Sequence, residues 1–342
     1  VPRKKRYSPV YKTWKNRNQK GREEVMDNNL VVSSSPHAKS ARTTQNIMLD
    51  VIIALVPVEI FSVILFGWRT LLIIGLSVAS ALLSEALCCK IMKRPVAIKD
   101  LSAVLTGILL AFNLPPTAPW WLPVLGSAIA IIVVKQFFGG IGHNFANPAI
   151  TARIVLFVSF PKLMTTWANP AIINLKTTAT PLEILKGTAQ GDVPRLLHLF
   201  IGFKGGCIGE TSVLLLILGG LYLVIRKVIK PIIPVCYIGT VAILTFIFTR
   251  DFYTTLQYLL SGGLFLGAIF MATDYVTSPI TNKGKVIFGI GCGILTTVMR
   301  FFCSSAEGVS YSILIMNIIT PHIDALTLPK PFGEEKGAKV NG

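Results

Sequence analysis

Charge is scarce in this chain. Only 14% of its 342 residues are Asp, Glu, Lys or Arg, against about 25% in an ordinary soluble domain. Hydrophobic residues make up 52%, and the mean hydropathy is +0.63. A water-soluble globule is excluded. Acidic residues are the scarcest: 16 stand against 33 Lys and Arg, a net charge of +17. Such a balance could serve nucleic acid, but the basic residues alternate with apolar runs and lack interleaved aromatics, so no nucleic-acid partner is expected. The six cysteines (Cys88, Cys89, Cys207, Cys236, Cys292, Cys303) include no CxxC pair. Most sit inside apolar runs and read as small buried hydrophobes rather than disulfides or cluster ligands. Histidines number four, and His143 has no second His or carboxylate at ligand spacing, so no metal site is expected. The basic N-terminal segment lacks an early apolar core. A cleavable signal peptide is therefore not expected, and the first span would direct insertion.

Apolar runs near the ~20 residues that cross a bilayer recur along the chain. They lie at about 48–67, 71–92, 98–113, 121–138, 145–160, 207–226, 232–249, 255–273, 284–301 and 308–320. The expected architecture is an all-α polytopic membrane protein of about ten transmembrane helices. A basic segment (1–47) precedes five spans (48–160), a long loop (161–206), five more spans (207–322) and a tail (323–342). Residues 1–25 look detached from the rest, and disorder or an amphipathic element is expected there. With both termini inside, twenty-four Lys and Arg fall in inner segments and eight in outer ones, with Arg153 inside a span. The positive-inside rule then puts the 161–206 loop outside.

The two halves are alike. Thr106-Gly-Ile-Leu-Leu-Ala-Phe-Asn-Leu-Pro-Pro-Thr117 parallels Leu266-Gly-Ala-Ile-Phe-Met-Ala-Thr-Asp-Tyr-Val-Thr277, and Lys135-Gln-Phe-Phe138 parallels Met299-Arg-Phe-Phe302. Shared order and spacing indicate a repeat. An odd number of spans per copy makes the repeat inverted, a 5+5 arrangement. Short or interrupted spans at matching positions then mark the binding region. Here these are the segments ending at Asn113 and at Asp274, whose freed backbone groups need partners at membrane depth. Asn113, Thr273 and Asp274 either cap helix ends or supply oxygen ligands for an ion path. Glu85 and Arg153 are intramembrane charges and hence functional candidates, although Glu85 can also reach the inner interface near Lys90. Gly139-Gly-Ile-Gly142 lacks full phosphate-loop spacing and reads as a place of close approach.

In the long loop, Thr180-Pro-Leu-Glu183 has the form of a capping box with proline at the first helical position. By itself it means a helix start. Together with Thr177-Thr-Ala-Thr180, however, Phe138-Gly-Gly-Ile-Gly-His-Asn-Phe-Ala-Asn-Pro-Ala149, Asn113-Leu-Pro-Pro-Thr-Ala-Pro-Trp120, Met271-Ala-Thr-Asp274, Ser35-Pro-His37 and Glu307-Gly-Val-Ser-Tyr311 occur in order. Over about residues 33–325 the chain resembles the D subunits of Rnf electron-transport complexes. It is less similar to the B subunits of Na+-translocating NADH:quinone reductases.

The resemblance implies a subunit of a redox-driven ion pump passing electrons between ferredoxin and NAD through flavins and iron–sulfur centres, inactive alone. It sits in the inner membrane of a prokaryote with both termini cytoplasmic. Implied partners are an NADH-side flavoprotein, ferredoxin-like iron–sulfur subunits, a second covalent-FMN subunit, small membrane subunits and a flavin transferase for maturation. FMN would be joined through its phosphate to Thr180, at a helix N-terminus. A second, noncovalent flavin (riboflavin) would lie near Asn144 and Asn147, whose alternative role is helix capping. Arg153 would pair a carboxylate or steady a flavin phosphate. The chain departs from the family element at Thr178, where Gly is usual, and at Asn174, where Asp often stands. Rival readings are a non-redox inverted-repeat transporter or channel, and a flavin-less scaffold.

Overall fold

The computed structural model describes residues 43–93, 98–167, 179–303 and 308–329. The basic segment through Arg42, with Ser35-Pro-His37, lies outside them, as do Asn174, Thr177, Thr178, Glu307 and the tail from Lys330. Helices fill the described residues, with no strand among them. Five are long and apolar enough to cross a bilayer: α1 (Thr44–Phe66), α2 (Trp68–Ile91), α10 (Ile232–Thr249), α13 (Asn282–Phe302) and α14 (Val309–Thr327). A sixth span results if α11 (Phe252–Leu260) and the segment Leu264–Met271, bent by 64° at their junction, are counted together. The protein is a multi-span membrane protein. Shorter apolar helices complete the body: α3 (Ser102–Phe112), α4 (Trp121–Ala128, running on as a π-helix over Ile129–Gln136), α5 (Pro148–Ser159) and α9 (Val213–Ile225). Three short helices, α6 (Pro161–Met164), α7 (Pro181–Leu185) and α8 (Leu196–Ile201), occupy the long loop. The segment after the 64° bend is α12 (Leu264–Leu266), continued by a π-helix over Gly267–Met271.

Polar residues in an apolar sequence decide where these helices begin. Thr43, Asn147, Ser212, Asp251 and Thr281 each accept a hydrogen bond from a first-turn backbone N–H, which satisfies donors that have no partner inside the helix. Two expectations change in detail. The run 255–273 is a bent pair of helices rather than one straight helix. The last helix continues to Thr327, so the tail begins after it.

Small residues let the helices approach. A Cβ on Gly107 would lie 2.9 Å from Val78 Cα, one on Gly219 2.6 Å from the Ala54 carbonyl, and one on Gly289 2.8 Å from Cys236 Cβ. These contacts bring α3 onto α2, α9 onto α1, and α13 onto α10, as small-residue interfaces do in membranes. Gly139, Gly140 and Gly142 serve differently. They hold φ of +124°, +95° and +88°, so backbone conformation requires all three, while close approach applies to Gly139, whose Cβ would lie 3.2 Å from the His143 ring, and not to Gly142, with nothing within 4 Å. Buried hydroxyls tie each half internally. Ser77 Oγ donates to the Gly107 carbonyl (2.7 Å) and shares a hydrogen bond with Ser127 Oγ (2.8 Å). Tyr237 OH meets Thr296 Oγ1 (2.6 Å) and Ser312 Oγ (2.9 Å). Of the cysteines, Cys88, Cys89, Cys207 and Cys292 are buried, Cys236 is half-buried and Cys303 is exposed, and none is in a disulfide among the described residues.

Candidate functional site at the helix breaks

Two helices stop inside the body. α3 ends at Asn113, and the α12 segment ends at Met271. A left-handed residue caps the start of α3 (Leu101, φ +62°), and another, Gly262 (φ +70°), precedes Gly263, the N-cap of α12. Their C-terminal carbonyls are met by side chains and backbone from elsewhere. Asn147 Nδ2 donates to the Met271 carbonyl (3.3 Å), the Ile208 N–H to the Leu114 carbonyl (3.0 Å), and Cys207 Sγ to the Asn113 carbonyl (3.4 Å). Asn113 Nδ2 turns back to the Leu109 carbonyl (2.6 Å) and touches Met271 Sδ (3.5 Å). The two stops are thus adjacent, joined through Asn113, Met271 and Asn147. Asn317, on α14, completes the hub. With its amide oriented to satisfy both ends, it donates to the Thr277 carbonyl (3.2 Å) and accepts from the Asn147 N–H (3.1 Å).

Thr273 and Asp274 line a small cavity of about 60 Å³ with Asn147 and Tyr275. Asn113 is not among its walls, so the structure groups two of the three ion-path candidates and places the third beside the neighbouring Met271. Thr273 Oγ1 donates to the Ile269 carbonyl (2.6 Å) and Thr277 Oγ1 to Asp274 Oδ2 (3.1 Å). Asp274 is half-buried, not a solvated loop carboxylate. Asn147 is the N-cap of α5, its Oδ1 accepting from Ala149 N–H (3.0 Å) and Ile150 N–H (3.4 Å). Asn144 differs: its Oδ1 is a buried acceptor with no hydrogen-bond partner among the described residues.

The starts of the two stopped helices carry buried charge. At α3, Lys135 Nζ donates to Glu85 Oε1 (2.5 Å) and Ser102 Oγ (2.6 Å), while Gln136 Nε2 donates to the same Glu85 oxygen (3.0 Å). The wider π-helical turn swings consecutive residues 135 and 136 toward one partner. Glu85 and Lys135 are 1% and 2% exposed, so neither snorkels to an interface. At α12 the charges divide by helix end. Lys204 Nζ donates to the Leu260 carbonyl, and Arg300 donates to the carbonyls of Tyr258 (2.8 Å) and Ser261 (3.2 Å). Both cations therefore cover the C-terminal carbonyls of α11. Glu210 lies at the other end, where a Cβ on Gly263 would be 2.8 Å from its Oε1. Cations at a helix C-terminus and an anion at the next N-terminus follow the sign of the helix dipoles. Arg153 reaches Ser310 Oγ (2.6 Å), Cys207 Sγ (3.6 Å) and Glu210 Oε1 (3.9 Å). Arg153 thus has Glu210 as a carboxylate partner.

Thr180 forms the capping box its sequence predicts. Its Oγ1 accepts from Glu183 N–H (3.2 Å), and its N–H donates to Glu183 Oε2 (2.8 Å). The helix it opens, α7, has five residues, so little dipole stands behind it. α7 is docked on the second break. Tyr258 OH donates to the Leu185 carbonyl (3.1 Å), Lys186 Nζ to the Cys303 carbonyl, and Leu182 and Arg300 flank Gly262.

Sequence reasoning assigns no role to Lys204, Glu210, Arg300 or Asn317, and the charge count treats Lys135, Lys204 and Arg300 as loop charges. Their burial takes one residue from the inner set and two from the outer, and leaves the asymmetry standing. The available signal is the repeat itself, since Gln136 and Arg300 occupy matching positions in Lys135-Gln-Phe-Phe138 and Met299-Arg-Phe-Phe302.

The sequence profile of the NQR2, RnfD, RnfE family matches residues 31–333. The chain belongs to this family. It is 46% identical over 310 residues to the D subunit of the Na(+)-translocating ferredoxin:NAD(+) oxidoreductase complex of Acetobacterium woodii, covering 90% of this chain and 96% of that one. Against the D subunit of the proton-translocating ferredoxin:NAD(+) oxidoreductase complex of Clostridium ljungdahlii the identity is 42% over 327 residues, covering 92% and 99%. The D subunit of the ion-translocating oxidoreductase complex of Escherichia coli O7:K1 is 36% identical over 348 residues, covering 90% and 99%. Such relatives are subunits of a multisubunit oxidoreductase, so the family works inside a larger assembly.

The Glu85–Lys135 pair allows a direct energetic check. Removing one member leaves the other charge buried and unpaired, a loss of about 3–5 kcal/mol, while removing both relieves it. Glu85→Gln or Lys135→Met alone should lower the thermal unfolding midpoint in detergent by several degrees, and the double variant should lose less than the sum. Additive losses would show that the two charges are not energetically paired.

Proposed function

We propose that this chain is the membrane-embedded D subunit of an ion-translocating ferredoxin:NAD oxidoreductase complex, carrying FMN bound covalently through its phosphate to Thr180. The observation that carries the reading is near full-length identity of 46% to a relative of that name. The proposed architecture is ten spans in a 5+5 inverted repeat, the four shorter apolar helices joining the six longer candidates. The two stopped segments, ending at Asn113 and Met271 in corresponding parts of the chain, support it. Partners are the other subunits of the complex, and a flavin transferase attaches the FMN.

Thr180 suits the attachment in one specific respect. In the capping box its hydroxyl oxygen is an acceptor, so an ester there consumes only the hydroxyl proton and still caps Glu183 N–H. Bound FMN would supply reversible one- and two-electron transfer. The chain's part is to fix Thr180 through α7 and its dock on Tyr258. The unpartnered Asn144 Oδ1 supports a further polar ligand, such as a noncovalent flavin, near Asn147.

Three experiments test the reading. In the denatured protein band, wild-type chain should fluoresce under ultraviolet light and Thr180→Val should not. Thr188→Val should retain fluorescence, because Thr188 Oγ1 only bonds the Glu183 carbonyl. Signal surviving in the Thr180 variant overturns the site, and a dark wild-type band favours the scaffold reading.

The proposed orientation, with the 161–206 loop on the outer face of the inner membrane and both termini cytoplasmic, rests on the Lys and Arg asymmetry. A cysteine replacing Gln190, in a Cys303→Ser background, should react with an impermeant reagent on intact cells. Reaction only after lysis reverses the topology.

The cavity bearing Thr273 and Asp274 is proposed as part of the ion path, since oxygen ligands suit a hard cation and charge neutralisation is strong in a low-dielectric site. Asp274→Asn in the assembled complex should reduce ions moved per electron while electron transfer continues. An unchanged ratio at normal turnover removes Asp274 from the path.

A further inference from the structure

A recess of about 490 Å³ opens on the flank of the second half, between α9 over 217–224, α10 over 234–239, and Phe265 and Ile269 of the α12 segment. No polar side chain lines it. Its stretch of α9 makes it roughly 10 Å long, which with its volume leaves a width of about 7 Å, less than the ~10–12 Å of a helix with its side chains. Gly239 keeps the recess open. A Cβ on Gly220 would strike Ile269 Cγ2 at 2.7 Å, so that glycine serves close packing, whereas a Cβ on Gly239 would have nothing within 4 Å. Gly239 lies inside α10, where glycine weakens a helix relative to alanine. No described residue accounts for it, and an occupant of the recess does.

One end of the recess is closed by the loop between α9 and α10, with Ile229 and Pro231 in its wall. That loop reads Arg226-Lys-Val-Ile-Lys-Pro231, and its three cations are exposed. Arg226 is held by Asp50 (3.1 Å), while Lys230 Nζ donates to the neutral Asn282 Oδ1 (3.1 Å). Lys283 and Lys285 stand in the first turn of α13 beside that asparagine, with Asp324 as the carboxylate near Lys285. At this rim Arg226, Lys227, Lys230, Lys283 and Lys285 outnumber the carboxylates of Asp50 and Asp324.

We propose that the recess holds an anionic phospholipid, with one acyl chain lying between α9 and α10 and the phosphate at the Lys227–Lys230 loop. A slender apolar chain suits both the width and the lining, and a partner helix is too wide to enter. Lipid tails are as apolar as leucine, so the recess alone would not choose one lipid over another. The rim makes the choice: a basic cluster between spans recognises an anionic headgroup, and a zwitterionic headgroup would bring a further cation to it. Ile229 and Ile269 also line the cavity of Thr273 and Asp274, so the bound chain rests against the back of that cavity's wall. The site requires only that the loop lie at a membrane face, and it rests neither on the flavin at Thr180 nor on the direction of electron flow.

Photo-crosslinking of the intact complex tests this. The complex is reconstituted in phosphatidylcholine vesicles containing increasing fractions of phosphatidylglycerol with a diazirine in one acyl chain, and a parallel series uses phosphatidylcholine with the same diazirine. Labelling of the segment 213–239 is quantified by peptide mass spectrometry, and the lipid fraction giving half-maximal labelling is read. Phosphatidylglycerol should half-saturate at a fraction about tenfold or more below phosphatidylcholine. Lys230→Gln should raise that fraction about fivefold, and Lys227→Gln added to it should raise it again by a similar factor. Gly239→Leu, which fills open space, should remove saturable labelling of this segment while labelling elsewhere on the chain persists. Equal half-saturation by the two lipids makes the occupant an ordinary boundary lipid and overturns the proposal. Wild-type complex that takes no label here has the recess covered by a partner subunit, which overturns it as well. If the leucine variant fails to assemble, the lysine variants decide alone. Because the readout needs neither turnover nor bound flavin, its failure is distinct from failure of the functional reading.

Discussion

A backbone carbonyl or amide released from a helix inside a bilayer has no water to turn to, and this constraint governs the protein's interior. α3 and the α12 segment both stop short, each freeing carbonyls at its end. The fold answers by setting the two stops side by side and letting each half serve the other. Asn147, from the first half, donates to Met271 in the second. Cys207 and Ile208, from the approach to the second half, serve Asn113 and Leu114 in the first. Each stop is satisfied in part by its own half and completed by the other, so the halves cannot separate without exposing the Met271, Asn113 and Leu114 carbonyls. Each missing partner would cost on the order of 1–3 kcal/mol.

The starts of the same segments are solved differently, with buried charge. Buried ion pairs seldom add net stability, because desolvation offsets attraction. Here two carboxylates are left incompletely satisfied: Glu85 Oε2 and Glu210 Oε1 are buried without a hydrogen-bond partner among the described residues. Stability alone would favour apolar replacements of similar volume. What the charges supply instead is definition of position. Lys135 holds Ser102, the first residue of α3, to Glu85 on α2, and Arg300 spans the turn from Tyr258 to Ser261. A break that must keep one geometry amid apolar packing is held by directional contacts that dispersion alone does not provide.

Much of this is legible in the sequence, for physical reasons. Apolar runs and Pro/Gly interruptions indicate the helices and locate both stops, because the ~20-residue span of a bilayer and the conformational limits of proline act locally. The Thr180 capping box and the Asn147 cap are likewise local and stand in the structure as the sequence implies. Partners remote in sequence are not legible. Lys204 meets Leu260 across 56 positions and Arg153 meets Ser310 across 157. A lysine in a glycine-flanked loop looks solvated until the fold closes over it. Charge counting places Lys135, Lys204 and Arg300 at the membrane faces for the same reason: composition records that a charge exists, not whether another segment covers it. The bend at 261–263 escapes sequence reasoning because two glycines in an apolar run fit tight helix packing as readily as a break.

The placement of α7 links these features. A five-residue helix has little stability of its own, so its position depends on what it rests against. Tyr258 OH holds the Leu185 carbonyl, Lys186 reaches the Cys303 carbonyl beyond the end of α13, and Leu182 and Arg300 stand 3.6 and 3.2 Å from the same point above Gly262. Arg300 in turn holds the last carbonyls of α11. Thr180, the residue proposed to carry the redox group, therefore opens a helix seated on the same turn whose carbonyls Lys204 and Arg300 cover. The helix opened by Thr180 and the Lys204 amine thus meet at a single element, the turn from Leu260 to Gly263.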